Sequence, residues 1–164
     1  ELRNIQCIDG DIVYNEKDGL KYLGNETNEY LYMIGAKNTS IKKAIIDDNC
    51  IFVESGAFRN CKDLSYVVLP QRLKEIKHAT FLYCTSLRTV VIPPEVESIE
   101  CGAFAFCLSL EKIIFTDQSN WYRAGNYADW KNKVNGVPTP MHDIANNVKY
   151  FTDWYSNSFW YKLK

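Results

Sequence analysis

Apolar positions along this chain recur at a fixed interval. Phe58, Phe81 and Phe104 stand 23 residues apart. In the same frame, without insertion or deletion, run Cys61, Cys84 and Cys107; Leu64, Leu87 and Leu110; Val67, Val90 and Ile113; and Leu69, Ile92 and Phe115. One period earlier, Ile41, Ala44, Ile46, Cys50 and Val53 fall in matching slots, although Asn38 stands in the Cys slot and Gly35 in the Phe slot. Within one unit, residues 87–107, apolar side chains occupy offsets 0, 3, 5, 9, 12 and 17. Offsets 3 and 5 alternate as in a half-buried strand, and Pro70 and Pro93 stop that strand. A second short extended stretch is expected at Leu73–Ile76 and Val96–Ile99. Gly56, Ala79 and Gly102, each followed by another small residue, let the chain turn so that the next Phe points inward. No helical stripe fits. The pattern predicts a mainly β solenoid of about three and a half coils over residues 36–116, each stacked on the next at roughly 4.8 Å.

A solenoid exposes core and strand edges at its open ends unless something covers them. The flanks suit that task, so residues 1–164 are read as one domain: an N-terminal β cap (1–35), the array (36–116) and an aromatic, partly helical C-terminal cap (117–164). In the first cap a meander is expected, with strands at Asp11–Tyr14, Leu20–Leu23 and Tyr30–Ile34 and turns at Asn15–Gly19 and in GNETNE. In the last, Asn126 is expected to cap a helix Tyr127–Val134 ending at Asn135-Gly136. Pro138 and Pro140 mark an extended link. Ile144, Val148, Phe151 and Tyr155 have the spacing of a second amphipathic helix after Asp143.

The segments GAFRNCKDLSYVVLP, ATFLYCTSLRTVVIP and GAFAFCLSLEKIIF share an F-x-x-C, preceded by Ala or Thr, and followed by a leucine and a β-rich run. In this they resemble the BspA-like leucine-rich repeat proteins of bacteria. YLYMIGAKNTSIKKAII and NNVKYFTDWYSNSFWYKL resemble the segments that lead into and close such arrays. The resemblance implies a leucine-rich-repeat β-solenoid, a secreted or surface-displayed adhesion module, and no catalytic residues. The first unit departs from the pattern at Gly35 and Asn38, as a capping unit would.

Composition adds limits. A chain of 164 residues with 46% hydrophobic and 24% charged residues builds one globular domain. A net charge of −1 without any Lys/Arg run offers no field for nucleic acid or an anionic membrane. The longest apolar stretch, Gly102–Leu108, is far too short to span a bilayer. The first residues lack the pattern of a signal peptide, and Cys7, preceded by Ile5 and Gln6, is not placed as a lipid-attachment cysteine.

Six cysteines invite a disulfide framework, but Cys61, Cys84 and Cys107 form one stacked column whose side chains run parallel into the core. Cys50 takes a slot that later units fill with Leu73 and Val96. Reduced, structural thiols are expected. No spacing suits zinc, and Asp9, Asp11 and Asp18 fail the calcium-loop pattern, since Ile12 stands where its glycine belongs. No metal or cofactor is expected. Asn25 and Asn38 match the glycosylation pattern. His78 and Cys101 share a column in adjacent coils, the minimum for an activated thiolate. Ser55 occupies that column one unit earlier, and no oxyanion donors accompany the pair. His142 reads as an exposed loop residue. No catalytic residues are assigned, and an enzyme is not expected.

What remains is surface. Offsets 1, 2 and 4 of the main strand point outward, giving the columns Lys42, Ser65, Arg88, Glu111; Lys43, Tyr66, Thr89, Lys112; and Ile45, Val68, Val91, Ile114. The last is β-branched throughout, either as a protein-binding stripe or because strand propensity selects such residues and flanking chain covers them. The expected ligand-binding residues are Lys43, Ile45, Tyr66, Val68, Arg88, Thr89, Val91, Glu111, Lys112 and Ile114, facing a host or extracellular matrix protein. The rival reading is a glycan or cell-wall module using Trp121, Tyr122, Tyr127, Trp130, Trp154, Tyr155, Trp160 and Tyr161, rings that serve equally well as a lid.

Overall fold

The computed structural model describes residues 10–142, 144–152 and 158–163. Its framework is a parallel sheet made of one strand per coil: β4 (Lys43–Ile45), β6 (Tyr66–Val68), β8 (Thr89–Ile92) and β10 (Lys112–Phe115), in the order β10-β8-β6-β4. Ladder partners are Lys43↔Tyr66, Tyr66↔Thr89 and Thr89↔Lys112, so the sequence period is the hydrogen-bond register. Four coils contribute strands. The first unit is therefore a full rung of this sheet, despite Gly35 and Asn38.

The second extended stretch is shorter than its apolar pattern suggests. β5 (Phe52–Val53), β7 (Glu75–Ile76) and β9 (Ser98–Ile99) have two residues each. Leu73 and Val96 instead close tight turns, their N–H groups donating to the carbonyls of Pro70 and Pro93 at 3.2 Å. The proline thus ends one strand and starts the turn into the next.

Gly56, Ala79 and Gly102 have φ of 65°, 55° and 68°, the left-handed conformation that small residues were expected to supply. A second left-handed column, Asn60, Tyr83 and Phe106, follows four residues later. Between these turns the backbone still bonds from coil to coil: Phe58 N–H to Thr80 O at 2.9 Å, and Phe81 N–H to Ala103 O at 2.8 Å.

The core consists of stacked columns. Phe58, Phe81 and Phe104 stack with ring centres 5.3 and 5.2 Å apart and nearly parallel planes. The buried thiols of Cys84 and Cys107 donate to the carbonyls of Phe58 and Phe81 at 3.2 and 3.1 Å. Cysteine suits this slot because it is small, apolar and carries a weak donor for the second lone pair of a carbonyl that already accepts a backbone N–H within its turn, Cys61 N–H at Phe58 O and Cys84 N–H at Phe81 O. The described cysteines are all free; Cys7 lies outside the described residues.

At the N-terminal end, β1 (Val13–Lys17) and β2 (Leu20–Gly24) form a hairpin. The expected turn at Asn15–Gly19 is only Asp18-Gly19, both at positive φ (51° and 78°). This two-residue turn matches the twist of its strands, so the first strand runs on to Lys17. β3 (Tyr32–Ala36) pairs antiparallel with β2 and parallel with β5. The GNETNE turn closes over Gly24, where a Cβ would overlap the Asn28 and Glu29 carbonyls.

The C-terminal segment starts with β11 (Trp121–Ala124). Helix α1 (Tyr127–Asn132) follows, with the Asn126 side chain accepting from Asp129 N–H at 2.9 Å. It stops two residues before the expected Val134, because Lys133 takes the left-handed conformation. β12 (Val137–Pro138) lies in the expected link, and α2 (Ile144–Thr152) is the second helix. Within it Phe151 is buried and Val148 packs on the core; Tyr155 lies outside the described residues. β13 (Phe159–Lys162) inserts antiparallel between β11 and β9, so the second sheet reads β12-β11-β13-β9-β7. The edge of β9 is thereby paired. Beyond β10, the buried Asn147 amide donates to Ile113 O at 3.2 Å and Met141 O at 2.9 Å.

Candidate functional site: the outer face of the main sheet

Because successive strand residues alternate sides, Ala44, Val67, Val90 and Ile113 enter the core while their neighbours face outward. Ile45 and Val91 are 48% and 45% exposed, and Val68 and Ile114 are half-buried. The flanking chain goes elsewhere: the meander pairs with β5, and the C-terminal strand pairs with β9. Among the described residues the stripe stands open.

Polar columns border it. Lys43 Nζ lies 5.2 Å from the centre of the half-exposed Tyr66 ring, a cation–π contact that steadies both side chains. Arg88 Nη1 meets Glu111 Oε1 at 2.8 Å. The two neutralise each other in an exposed pair worth at most about 1 kcal/mol. Thr89 and Lys112 continue the ladder beside Tyr66.

A depression of about 480 Å³ opens on this face. Of the expected residues it gathers Tyr66, Val68, Arg88, Thr89 and Val91; Lys43 and Glu111 border it through their partners, and Ile45, Lys112 and Ile114 extend the face beyond it. Gln71, Pro93 and Thr116 also line it. They lie just past the strand ends, at positions the sequence pattern marks only as strand stops.

The structure brings His78 and Cys101 together, with Nδ1 3.4 Å from Sγ. The same Nδ1 lies 2.7 Å from the Cys101 carbonyl oxygen, which can only accept, so Nδ1 carries the hydrogen and is no base for the thiol. Burial, aided by the Glu100 charge, pushes the Cys101 thiol up, away from thiolate. Ser55 Oγ donates to His78 O at 2.8 Å, continuing the column as structural bonding. Asp18 sits in the hairpin turn and Asp11 is exposed; Asp9 lies outside the described residues. Among those, no three His, Cys, Asp or Glu side chains converge on a metal position.

The C-terminal rings divide by burial. Trp121, Trp160 and Tyr161 are at most 3% exposed. Phe151 ties the last coil to this group, with ring centres 5.9 Å from Phe104 and Phe115 and 4.2 Å from Trp160. Tyr122 stacks on Tyr161 at 5.6 Å. Tyr127 is exposed and Trp130 half-buried; Trp154 lies outside the described residues.

One parallel strand per 23-residue coil, a leucine opening three of the four units and a stacked Phe and Cys column define a leucine-rich-repeat solenoid. Residues 34–140 match the BspA type leucine rich repeat region, in 6 copies. The chain belongs to that family. It is similar in fold to a leucine rich cell surface protein of Faecalibacterium prausnitzii, with a TM-score of 0.53 and 16% identity over 77% of this chain and 43% of that one. A leucine-rich repeat protein of Bacteroides ovatus matches with a TM-score of 0.44 and 19% identity, over 65% of this chain and 40% of that one. The chain thus spans less than half the length of either. No curated protein matches the sequence, and no described helix is long and apolar enough to cross a membrane.

Proposed function

We propose that this chain is a non-enzymatic repeat module that binds a protein ligand through the outer face of its main sheet. The carrying observation is the uncovered stripe Ile45, Val68, Val91 and Ile114, set on a ladder whose register is fixed from coil to coil. An apolar centre with a polar border is the make-up of a protein-binding patch, and a preformed sheet loses little freedom on binding. Tyr66 supplies an aromatic anchor. The near-neutral charge speaks against nucleic acid as the partner. The reading places the module at the cell surface or outside the cell, as its structural neighbour is described, with a host or extracellular matrix protein as ligand and adhesion as its role. Burial of Trp121, Trp160 and Tyr161 supports the lid over a glycan platform for those rings. Binding of the purified chain to an array of matrix and host proteins tests the proposal, with Val68→Glu/Val91→Glu as the probe. The variant is expected to stay folded and to lose its ligand. Unchanged binding would exclude this face, and unfolding would mean that the stripe is covered.

A further inference from the structure

A second cleft, of about 280 Å³, lies where the C-terminal strand joins the second sheet. Glu75 and Ser98 enter it from β7 and β9, Lys74 and Glu97 stand beside them, and Trp130 and Tyr161 come from the C-terminal segment. Helix α1 buries none of its residues fully, so it adds little to the core, yet it holds Trp130 at this cleft. The indole is clamped: its N–H donates to Trp160 O at 3.1 Å, and the rings of Phe159 and Tyr127, themselves 5.8 Å apart, lie 5.3 and 5.4 Å away, tilted by 32° and 44°. Ser98 Oγ donates to Glu75 Oε1 at 3.2 Å, which orients a half-buried carboxylate with acceptor capacity remaining.

We infer that this cleft binds a single neutral pyranose ring, its C–H face against Trp130 and its hydroxyls on Glu75 and Ser98. The volume is at the lower limit of small-molecule sites, which suits one ring rather than an extended chain. An oriented aromatic surface beside a carboxylate and a hydroxyl matches a ligand that is apolar on its face and hydroxylated at its rim. The lining carries charges of both signs, with Lys74 already paired to Glu95 and Glu97, so it presents no strong field of one sign to an ion. Lys131 and Lys133 would repel a cation, while Glu75 would repel an anion. A neutral hydroxyl donor meets the carboxylate without bringing a second charge out of water. The inference goes beyond the main-sheet reading and involves none of that face's residues.

The test is a titration of the ¹⁵N-labelled full chain with the methyl glycosides of glucose, galactose, mannose and N-acetylglucosamine, reading the Trp130 indole N–H and the Ser98 amide. At least one sugar is expected to shift both signals saturably. Glu75→Gln, which keeps the shape, should weaken binding about tenfold, and Trp130→Ala should abolish the Ser98 shift. Val68→Glu/Val91→Glu should leave the titration unchanged. No saturable shift with any of the sugars, an undiminished shift in Glu75→Gln, or tighter binding of glucuronate than of the glucoside would overturn the inference.

Discussion

The repeat frame makes its sharpest prediction at Phe81. The ring is fully buried and sandwiched, 5.3 Å from Phe58 and 5.2 Å from Phe104, with planes within 7°. Phe→Ala in a core costs about 3–5 kcal/mol, and the value depends on how far the site collapses. Here it cannot collapse easily. Backbone hydrogen bonds pin the coils on either side, Phe58 N–H to Thr80 O and Phe81 N–H to Ala103 O, so the neighbouring rings cannot close the gap without breaking the ladder. Phe81→Ala is therefore expected in the upper half of the range, about 4–5 kcal/mol. Two stacked contacts, each about 0.5–1.5 kcal/mol, form part of that loss. Phe104 makes one of its ring contacts edge-on to Phe151 of helix α2, a contact made by side chains rather than across a coil-to-coil ladder, so Phe104→Ala should cost less, about 3 kcal/mol. Equilibrium urea melts at constant slope measure both. A loss below about 1 kcal/mol at Phe81, or a greater loss at Phe104 than at Phe81, would refute the argument that the ladder holds the slot open.

Deleting residues 143–164 removes Phe151, Trp160 and the strand paired with β9, so aggregation or a large fall in melting temperature is expected; a folded, monomeric truncate by light scattering would show that the segment is not a lid. Burial pushes the thiols of Cys50 and Cys61 up to about 11 and that of Cys107 up to about 12, so native alkylation should be slow and fastest at the partly exposed Cys101. Non-reducing denaturation should then free six thiols. Two or more native disulfides by mass spectrometry would contradict this, and Cys101 alkylation abolished by His78→Ala would restore the dyad. Lys162, then Ser119, hold the Asp117 carboxyl well below the usual carboxylate range. A lowered folded-state value stabilises above the unfolded value of about 3.9 and is lost as pH falls through the folded one. Asp117→Asn should thus cost about 1 kcal/mol or less at pH 7, given solvent screening, with the difference from the parent shrinking in acid melts; a difference independent of pH would refute it. Glu75 shifts the opposite way, raised by burial and then by Glu100. Its ionisation opposes folding as pH rises above about 4.3, so Glu75→Gln should melt no lower than the parent at pH 7.

How much of this was legible in the sequence follows from where each segment finds its partner. In the array the partner is always one period away, so a single frame names the strand, its register, its inward residues and its outward columns. That is why the ladder pairs Lys43, Tyr66, Thr89 and Lys112 as the frame pairs them. Local chemistry was readable as well: Asn126 caps α1, and Gly56, Ala79 and Gly102 make the turns. Outside the array no period links a residue to its neighbour. Whether Trp160 faces a sugar or the last coil depends on β13 pairing with Ile99, and only the folded chain brings those positions together. Tertiary structure likewise placed Asn147 over the Ile113 carbonyl, brought His78 Nδ1 closer to the Cys101 carbonyl than to its thiol, and set Trp130 and Glu75 on one cleft. Periodicity encodes pairing because identical coils must stack in register, whereas capping segments bind wherever an edge and an apolar surface stand open.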